Sequence, residues 1–152
     1  RGGVVYDRRE FRVELPASES VDFWCCDAAA LPFADNTFGY AAALNVVDSV
    51  TTPHALLAEL ARAVRGGGQL LTACPYDWSS GATPYEQWLG GHSQRGPDRG
   101  DSAEILRRLL TQSDLTCRLT SEEDHVPWHV RIHERSAVQY RLHMVAARVE
   151  SS

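Results

Sequence analysis

The chain has 152 residues, 43% of them hydrophobic and 23% charged, a balance that predicts a single folded domain with a substantial core. Its formal net charge is −5, and proteins that grip nucleic-acid backbones carry basic surfaces, so nucleic acid is not expected as a partner. The sequence has neither an apolar run near the roughly 18 residues of a membrane helix nor the apolar core of a signal peptide, which predicts a cytoplasmic protein that does not bind membranes.

Two features of the composition narrow the chemistry. All 15 basic side chains are arginine, so Schiff-base chemistry, a P-loop lysine and the Tyr/Lys pair of short-chain dehydrogenases are excluded. The four cysteines, Cys25, Cys26, Cys74 and Cys117, lie mostly in apolar runs and not at disulfide or CxxC spacings. They are therefore predicted to be reduced and buried.

Three stretches in the first third of the chain have strand character. Residues 10–15 alternate polar and apolar side chains, which favours a short strand. Residues 21–26, VDFWCC, and residues 38–47, FGYAAALNVV, are apolar and β-prone, as buried strands are. The latter two are the first candidates for a parallel sheet.

A helix and a further strand follow. Thr52 and Pro53 resemble an N-cap and the first helical position, and apolar residues then recur at three- and four-residue spacing. The glycines at 66–68 are predicted to end this helix. Residues 69–76, QLLTACPY, are predicted to be a strand that lies parallel to the preceding one, as in a βαβ unit.

Residues 79–100 are rich in Gly, Ser and Pro and are predicted to form a long loop. Inside it, Thr83 and Glu86 have the spacing of a capping box, which predicts one short helix through Leu89.

The last third of the chain predicts a helix and a hairpin. A second capping box at residues 101–104 precedes an apolar stripe, which predicts a helix to about Gln112. Residues 114–123 and 136–149 are extended in pattern and are expected to pair as an antiparallel hairpin, with residues 124–135 between them.

Two aspartates follow predicted strands. Ligands of open α/β sheets bind beyond the carboxyl ends of the strands, where an acidic side chain accepts hydrogen bonds from an adenine amino group or a ribose hydroxyl. Asp27 has that position, although the residue type equally suits a cap of the following turn. Asp48 either lines the same cleft or caps a loop.

Residues 26–76, CDAAALPFADNTFGYAAALNVVDSVTTPHALLAELARAVRGGGQLLTACPY, resemble the central and C-terminal part of a class I, S-adenosylmethionine-dependent methyltransferase. The resemblance implies an α/β, Rossmann-like sheet with helices on its faces, and S-adenosylmethionine as the cofactor. It also implies that Asp27 and the backbone of Ala28 face the adenine of the cofactor, and that Asn45 lies by its methionine part.

Two segments carry a narrower resemblance. Residues 74–91, CPYDWSSGATPYEQWLGG, are similar to a segment of the methyltransferase domain assigned to 4-mercaptohistidine N1-methylation in ovothiol biosynthesis. Residues 126–135, VPWHVRIHER, are similar to another stretch of that domain, with matches at Arg131, His133 and Arg135. Both imply a small acceptor that resembles an imidazole or an amino acid.

The residues of these segments suit acceptor recognition. Tyr76, Trp78 and Trp88 together favour a pocket wall that excludes water and contacts a sulfonium, although each ring alone is also ordinary core filling. Arg131 and Arg135 suit a carboxylate held by bidentate hydrogen bonds, and otherwise are arginines on a solvated strand face or in surface ion pairs.

His133 is the candidate catalytic base, although positioning alone supplies most of the catalysis of methyl transfer. His125, His129 and His133 recur every four residues, the spacing of metal ligands on a helix. Pro127 and the β-branched neighbours favour an extended segment instead, so no metal site is expected.

The sequence departs from the family pattern in three places. A glycine, Gly39, replaces the aspartate that usually follows the phenylalanine of the turn, and no GxGxG loop precedes Asp27. The acidic residue that follows the second strand of the family is also missing. The family's sheet order would moreover place two missing strands between residues 21–26 and residues 38–47.

These departures predict that residues 1–152 are the C-terminal part of a methyltransferase domain. A missing N-terminal segment, a partner chain such as a second copy, or a rebuilt sheet would then satisfy the unpaired strands. The chain alone is expected to lack half of the cofactor cradle, and so to be a weak binder or inactive. The alternative function is a non-catalytic binding or scaffold module with the same fold. A nucleotide-dependent oxidoreductase ranks last, because a glycine fingerprint and lysine are both missing.

Overall fold

The computed structural model describes residue 10 and residues 12–95, 98–112 and 115–151. Within these residues the chain forms four strands and two α-helices, with single 3₁₀ turns at Ser18–Ser20, Val47–Ser49 and Tyr85–Gln87. In chain order the elements are β1 (Phe38–Leu44), α1 (Pro53–Ala63), β2 (Val64–Cys74), α2 (Ser102–Gln112), β3 (Cys117–His133) and β4 (Ser136–Val149). No helix among the described residues is long and apolar enough to cross a bilayer.

The four strands form one mixed sheet in the order β1-β2-β4-β3. β1 and β2 are parallel, with Ala42 opposite Leu71, which confirms the predicted βαβ unit. β4 is antiparallel to both β2 and β3, so the predicted hairpin at the sheet edge is also confirmed. The result is an α/β sheet, as predicted.

The hairpin is longer than the sequence pattern indicated. Residues 124–133 belong to β3 instead of forming a connection, and His133 pairs directly with Ser136. Register shifts near Thr120, residues 124–125 and Ile132 interrupt the alternation of side chains along β3. The segment therefore lacks the alternating pattern by which a strand is recognised in a sequence. Pro127 is tolerated because β3 is the edge strand.

The core lies between one face of the sheet and both helices. Leu57 of α1 and Leu106 of α2 are fully buried in the same apolar cluster, together with Leu70 and Val145 of the sheet. Such burial contributes roughly 1.5–3 kcal/mol for each large aliphatic side chain.

Both helices begin where the sequence predicted. Pro53 is the first residue of α1, although Thr52 makes no side-chain capping bond. Asp101 Oδ1 accepts hydrogen bonds from the backbone N–H groups of Ala103 and Glu104, which is an N-cap of α2.

The glycine run does not end α1, contrary to prediction. The helix ends at Ala63, and β2 begins at Val64 and passes through the glycines. A Cβ on Gly68 would lie 2.5 Å from Val64 Cγ1 and 2.9 Å from the carbonyl oxygen of Gly39. Gly68 therefore permits close approach of β1 and β2 at an irregularity of their register.

The two strands predicted before residue 30 are wrong where the structure describes them. Residues 12–15 and 21–26 are neither helix nor strand, while Phe11 lies outside the described residues. Phe23 is 93% exposed, and Cys25 and Cys26 are exposed where burial was predicted; Cys74 and Cys117 are buried as predicted. A β-prone sequence needs a neighbouring strand to satisfy its backbone, and β1 ends the described sheet without one.

Candidate functional site

The candidate site lies at one edge of the sheet, where the parallel strands end. The carboxyl ends of β1 and β2 meet there, since Leu44 pairs with Ala73. The backbone N–H of Asn45 donates to Ala73 O over 2.7 Å, which fixes the first residue beyond β1 against β2. Residues 75–78 leave β2 at the same edge. Open α/β sheets bind their ligands at such edges.

Asn45 presents an unsatisfied acceptor at this edge. Its backbone has a positive φ of 57°, a left-handed conformation that asparagine tolerates better than most residues. Its Oδ1 is buried and has no hydrogen-bond partner among the described residues. A buried acceptor without a donor is unfavourable, so this atom suits a ligand that brings one.

Asp27 begins the turn that precedes β1. Its Oδ1 accepts a hydrogen bond of 2.9 Å from the backbone N–H of Ala29, and its carbonyl accepts one of 3.1 Å from Ala30. The capping interpretation of Asp27 is therefore confirmed. The side chain is exposed, and the neighbouring Ala28 packs against the apolar core.

Arg62 of α1 fastens this turn to the domain. Its guanidinium donates to the carbonyls of Leu31 and Phe33, and to the carboxylates of Glu59 and Asp35, at 2.7–3.2 Å. Glu59 also accepts the backbone N–H of Leu31, and its hydrogen bonds to Arg62 hold the pKa of its carboxyl below the usual range. Residues 31–36, which follow the Asp27 turn, are thus held against α1, where Asn36 also donates its backbone N–H to Arg62 O over 2.9 Å.

Asp48 and Thr83 join the loop after β1 to the loop after β2. Asp48 is 5% exposed, and its Oδ2 accepts the backbone N–H of Asp77 over 2.8 Å, so it anchors a loop. Thr83 is fully buried, and its hydroxyl donates to the carbonyl of Val50 over 2.7 Å, with the carbonyl of Asp48 at 3.2 Å. Thr83 therefore does not cap a helix as predicted, and only the 3₁₀ turn Tyr85–Gln87 forms there.

The three aromatic rings predicted as a pocket wall are brought together. Tyr76 and Trp78 stack with ring centroids 6.4 Å apart, and Trp78 and Trp88 stack at 6.0 Å and 16°. The indole N–H of Trp78 donates to Ser102 Oγ, and that of Trp88 donates to Thr83 O. The three rings form a continuous row, named here the aromatic row, beyond the end of β2.

A chain of polar side chains lies behind the aromatic row, and the sequence analysis missed it. The hydroxyl of Tyr76 is 2.7 Å from Nδ1 of His143, and Nε2 of His143 is 2.6 Å from Oε1 of Glu122. Arg107 of α2 donates to the same carboxylate oxygen over 2.5 Å and also pairs with Glu104. His143 is 3% exposed.

The electrostatics of this chain follow from burial and pairing. Burial raises the pKa of the Tyr76 hydroxyl well above its ordinary value, so the phenol is protonated at neutral pH. The hydrogen bond from Arg107 lowers the pKa of Glu122, so its carboxyl is ionised. One signal in the sequence could have found His143, because it is a histidine within the apolar stretch LHMVAARV.

Arg131, His133 and Arg135 lie apart from the aromatic row, at the tip of the hairpin. They line a concavity of about 490 Å³ with His129, and Nδ1 of His133 accepts the backbone N–H of Arg135 over 3.2 Å. His143 pairs with Cys74 at the sheet edge, whereas Arg131 pairs with Ala137, six residues nearer the tip. At the usual rise per residue of a strand, six residues correspond to about 20 Å between Arg131 and the end of β2.

The histidines of β3 do not gather a metal site in the described part of the chain. His129 and His133 are on an extended strand, as the sequence analysis expected. Within the described ranges, no group of three or more His, Cys, Asp or Glu side chains is placed to hold a metal ion.

The comparisons with known proteins agree with this architecture. Residues 6–72 match the family model described as a methyltransferase domain. None of the curated proteins matches the sequence. An S-adenosylmethionine-dependent methyltransferase from Methanosarcina mazei superposes on this chain with a TM-score of 0.52 and 17% sequence identity, and the superposition covers 82% of this chain and 65% of that protein.

The described residues share their fold with solved structures of methyltransferases. A candidate methyltransferase from Bacillus halodurans C-125 superposes with a TM-score of 0.58 at 13% identity, over 88% of this chain and 79% of that one. The [4+2]-cyclase SpnF also superposes with a TM-score of 0.58, at 19% identity, over 89% of this chain and 59% of that one. The chain thus spans less than two thirds of the Methanosarcina protein and of the cyclase.

Proposed function

We propose that this chain is the acceptor-side part of an S-adenosylmethionine-dependent methyltransferase that acts on a small molecule. When bound, the cofactor supplies an electrophilic methyl group on a sulfonium leaving group. The protein would then have to position the two substrates and exclude water, and the residues at this edge of the sheet would do so. The observation that carries the proposal is the unpartnered Oδ1 of Asn45 at that edge, in a methyltransferase fold.

The residues at the edge fit the cofactor. Oδ1 of Asn45 would accept a hydrogen bond from the ammonium of its methionine part, a donor that satisfies the buried oxygen. Asp27, whose carboxylate is exposed, and the backbone of Ala28 would hold the adenosine part. The turn that carries them is fixed by Arg62, so these groups are preorganised.

The aromatic row would form the wall of the acceptor pocket. A flat acceptor would stack on a ring of this row, and the electron-rich ring faces would attract a sulfonium. We favour an imidazole or an amino-acid-like acceptor, because residues 74–91 and 126–135 resemble the domain assigned to 4-mercaptohistidine methylation.

The roles of the hairpin tip stay predictions. Arg131 and Arg135 would bind an acceptor carboxylate, and His133 would remove a proton. The tip is about 20 Å from the end of β2 by strand rise, so one small molecule does not contact both the tip and Tyr76 in this arrangement.

The sheet would be completed by other residues, either a preceding segment of a longer chain or a second copy. β1 ends the described sheet, and Tyr40 and Leu44 on the face opposite the helices are 52% and 53% exposed. Trp24, also exposed, contacts Phe33 edge to face instead of lying in a strand. A completed sheet would bury these apolar groups and pair the edge of β1. Residues 1–152 would then be one partial domain.

A non-catalytic binding or scaffold module is the second candidate. A [4+2]-cyclase shares this fold, so the fold is compatible with functions other than methyl transfer. An absence of cofactor binding, even in a form of the chain extended upstream, would support this candidate.

Asn45 tests the cofactor site directly. In a form of the chain extended upstream, Asn45→Ala should weaken S-adenosylmethionine binding roughly 10- to 100-fold, because a hydrogen bond to a charged group contributes about 1.5–3 kcal/mol. Asn36→Ala is a matched control, since Asn36 has the same left-handed backbone, φ 58° against 57°, but precedes β1. Equal affinities of both variants, measured by calorimetry, would contradict the assignment.

A further inference from the structure

We propose that Tyr76, His143 and Glu122 form a proton relay that takes up the proton released by the methyl acceptor. The inference rests on the proposed function and deepens it. It gives Tyr76 a catalytic contact with the acceptor, and it makes His143 and Glu122 positioning residues that act through Tyr76. The relay, and not the hairpin tip, would then provide the base.

With a neutral resting ring, the ionised carboxylate of Glu122 sets the direction of each hydrogen bond. An ionised carboxylate only accepts, so Nε2 of His143 carries a proton and donates it to Glu122. Nδ1 of the neutral ring then has a lone pair, and the Tyr76 hydroxyl donates to it over 2.7 Å. The Tyr76 oxygen keeps its own lone pairs as acceptors. Tyr76 can therefore receive one proton while it passes its own proton to His143.

His143 lies among charged and polar groups from three elements. Glu122 faces it from β3 and is held by Arg107 of α2, while Cys74 lies opposite on β2. Burial raises the pKa of Cys74, so its neutral thiol adds no charge. An imidazolium formed at this place would be neutralised by the adjoining carboxylate, even though the ring is 3% exposed.

The location links the relay to the aromatic row. Tyr76 belongs to both, since its ring stacks with Trp78 and its hydroxyl contacts His143. Its backbone has a positive φ of 56°, which is unfavourable for a tyrosine and turns the chain at the end of β2. An acceptor held on the row would lie beside the ring whose hydroxyl heads the relay.

Methyl transfer to a neutral acceptor releases one proton. A neutral acceptor with an N–H, S–H or O–H group must lose a proton when it gains a methyl group, and the bonding electron pair stays on the acceptor atom. That proton goes to the Tyr76 oxygen as the Tyr76 proton goes to Nδ1 of His143. Once the methylated product has left, the Nδ1 proton returns to the Tyr76 oxygen as Tyr76 releases its own proton to water in the emptied site, which restores the resting tautomer of His143.

NMR of histidine labelled with ¹⁵N tests the relay without relying on turnover. In the folded chain, with any segment needed for cofactor binding, Nε2 of His143 should be protonated and Nδ1 should not. The ¹⁵N chemical shifts of the His143 ring should differ between the complexes with S-adenosylhomocysteine and with S-adenosylmethionine, because the former lacks the positive sulfonium. Binding of both compounds with the same His143 ring shifts would overturn the relay alone. Failure to bind either would overturn the proposed function, and the relay with it.

Substitutions separate proton uptake from structural support. His143→Gln can still donate to Glu122 and accept from Tyr76, but it cannot take a proton. We expect kcat for an imidazole probe to fall on the order of 100-fold, with the KM for S-adenosylmethionine changed less than about threefold. His54→Gln, at an exposed position of α1, is the matched control. A variant at His143 with the wild-type pH profile and kcat would overturn the relay.

Discussion

The buried hydroxyl of Thr83 provides a sharp test of how the loop after β2 is fastened. A hydroxyl has one proton, and the 2.7 Å contact to Val50 O receives most of it, with Asp48 O at 3.2 Å as the second acceptor. Thr83→Val keeps the shape of the side chain but leaves buried carbonyls without this donor. The expected cost is about 1–3 kcal/mol in the free energy of unfolding.

Two companion variants separate the possible roles of Thr83. Thr83→Ser keeps the donor and loses one methyl group, which should cost about 0.8 kcal/mol. Thr83→Asp would be tolerated at a helix N-cap, the role predicted from the sequence, but should cost several kcal/mol at a fully buried position.

Urea unfolding followed by tryptophan fluorescence measures all three, with Trp88 as a reporter because it donates to Thr83 O. Wild-type stability of Thr83→Val would refute the hydrogen-bond argument. A stable Thr83→Asp would refute the burial argument and restore the helix cap.

Two further predictions concern charged groups. The pKa of Glu122 is lowered chiefly by its hydrogen bond from Arg107. The ionised carboxylate therefore stabilises the fold fully above the unfolded pKa of 4.5, and this stabilisation is lost as the pH falls from 4.5 toward the lower pKa of the folded state. Glu122→Gln should flatten the loss of stability in acid, measured by urea unfolding at several pH values, while Glu86→Gln on an exposed turn should leave the slope as it is. Arg62→Leu removes the donors that hold Leu31 O and Phe33 O, so hydrogen exchange in residues 31–36 should accelerate and S-adenosylmethionine should bind more weakly. Unchanged exchange in that segment would contradict the fastening role of Arg62.

The sequence predicted the elements whose signals are local. α1 and α2 have apolar spacing and recognisable starts at Pro53 and Asp101, and β1 and β2 are apolar runs flanking α1. Residues 21–26 have the same local signal as β1 but no neighbour to pair with in the described sheet. Strand formation depends on a neighbouring strand, and the β-propensity of a segment does not tell whether that neighbour is present.

The sequence also predicted part of the candidate site, namely the residues that lie close together along the chain. The aromatic row could be proposed because its members lie within 13 residues of one another, just beyond a predicted strand. Tyr76, His143 and Glu122 come from three separate segments that only the sheet register brings together. Arg131 and His133 were assigned to the acceptor pocket by resemblance, whereas the long β3 carries them toward the hairpin tip.

Titration calorimetry with S-adenosylmethionine and S-adenosylhomocysteine tests the central claim most directly. It should be done on this chain and on a version extended upstream in a longer parent sequence. We predict that the extended form binds both compounds and that the present chain binds them weakly or not at all, because an open edge at β1 leaves the cradle incomplete. No binding by either form would contradict the methyltransferase account and leave the scaffold module as the better explanation.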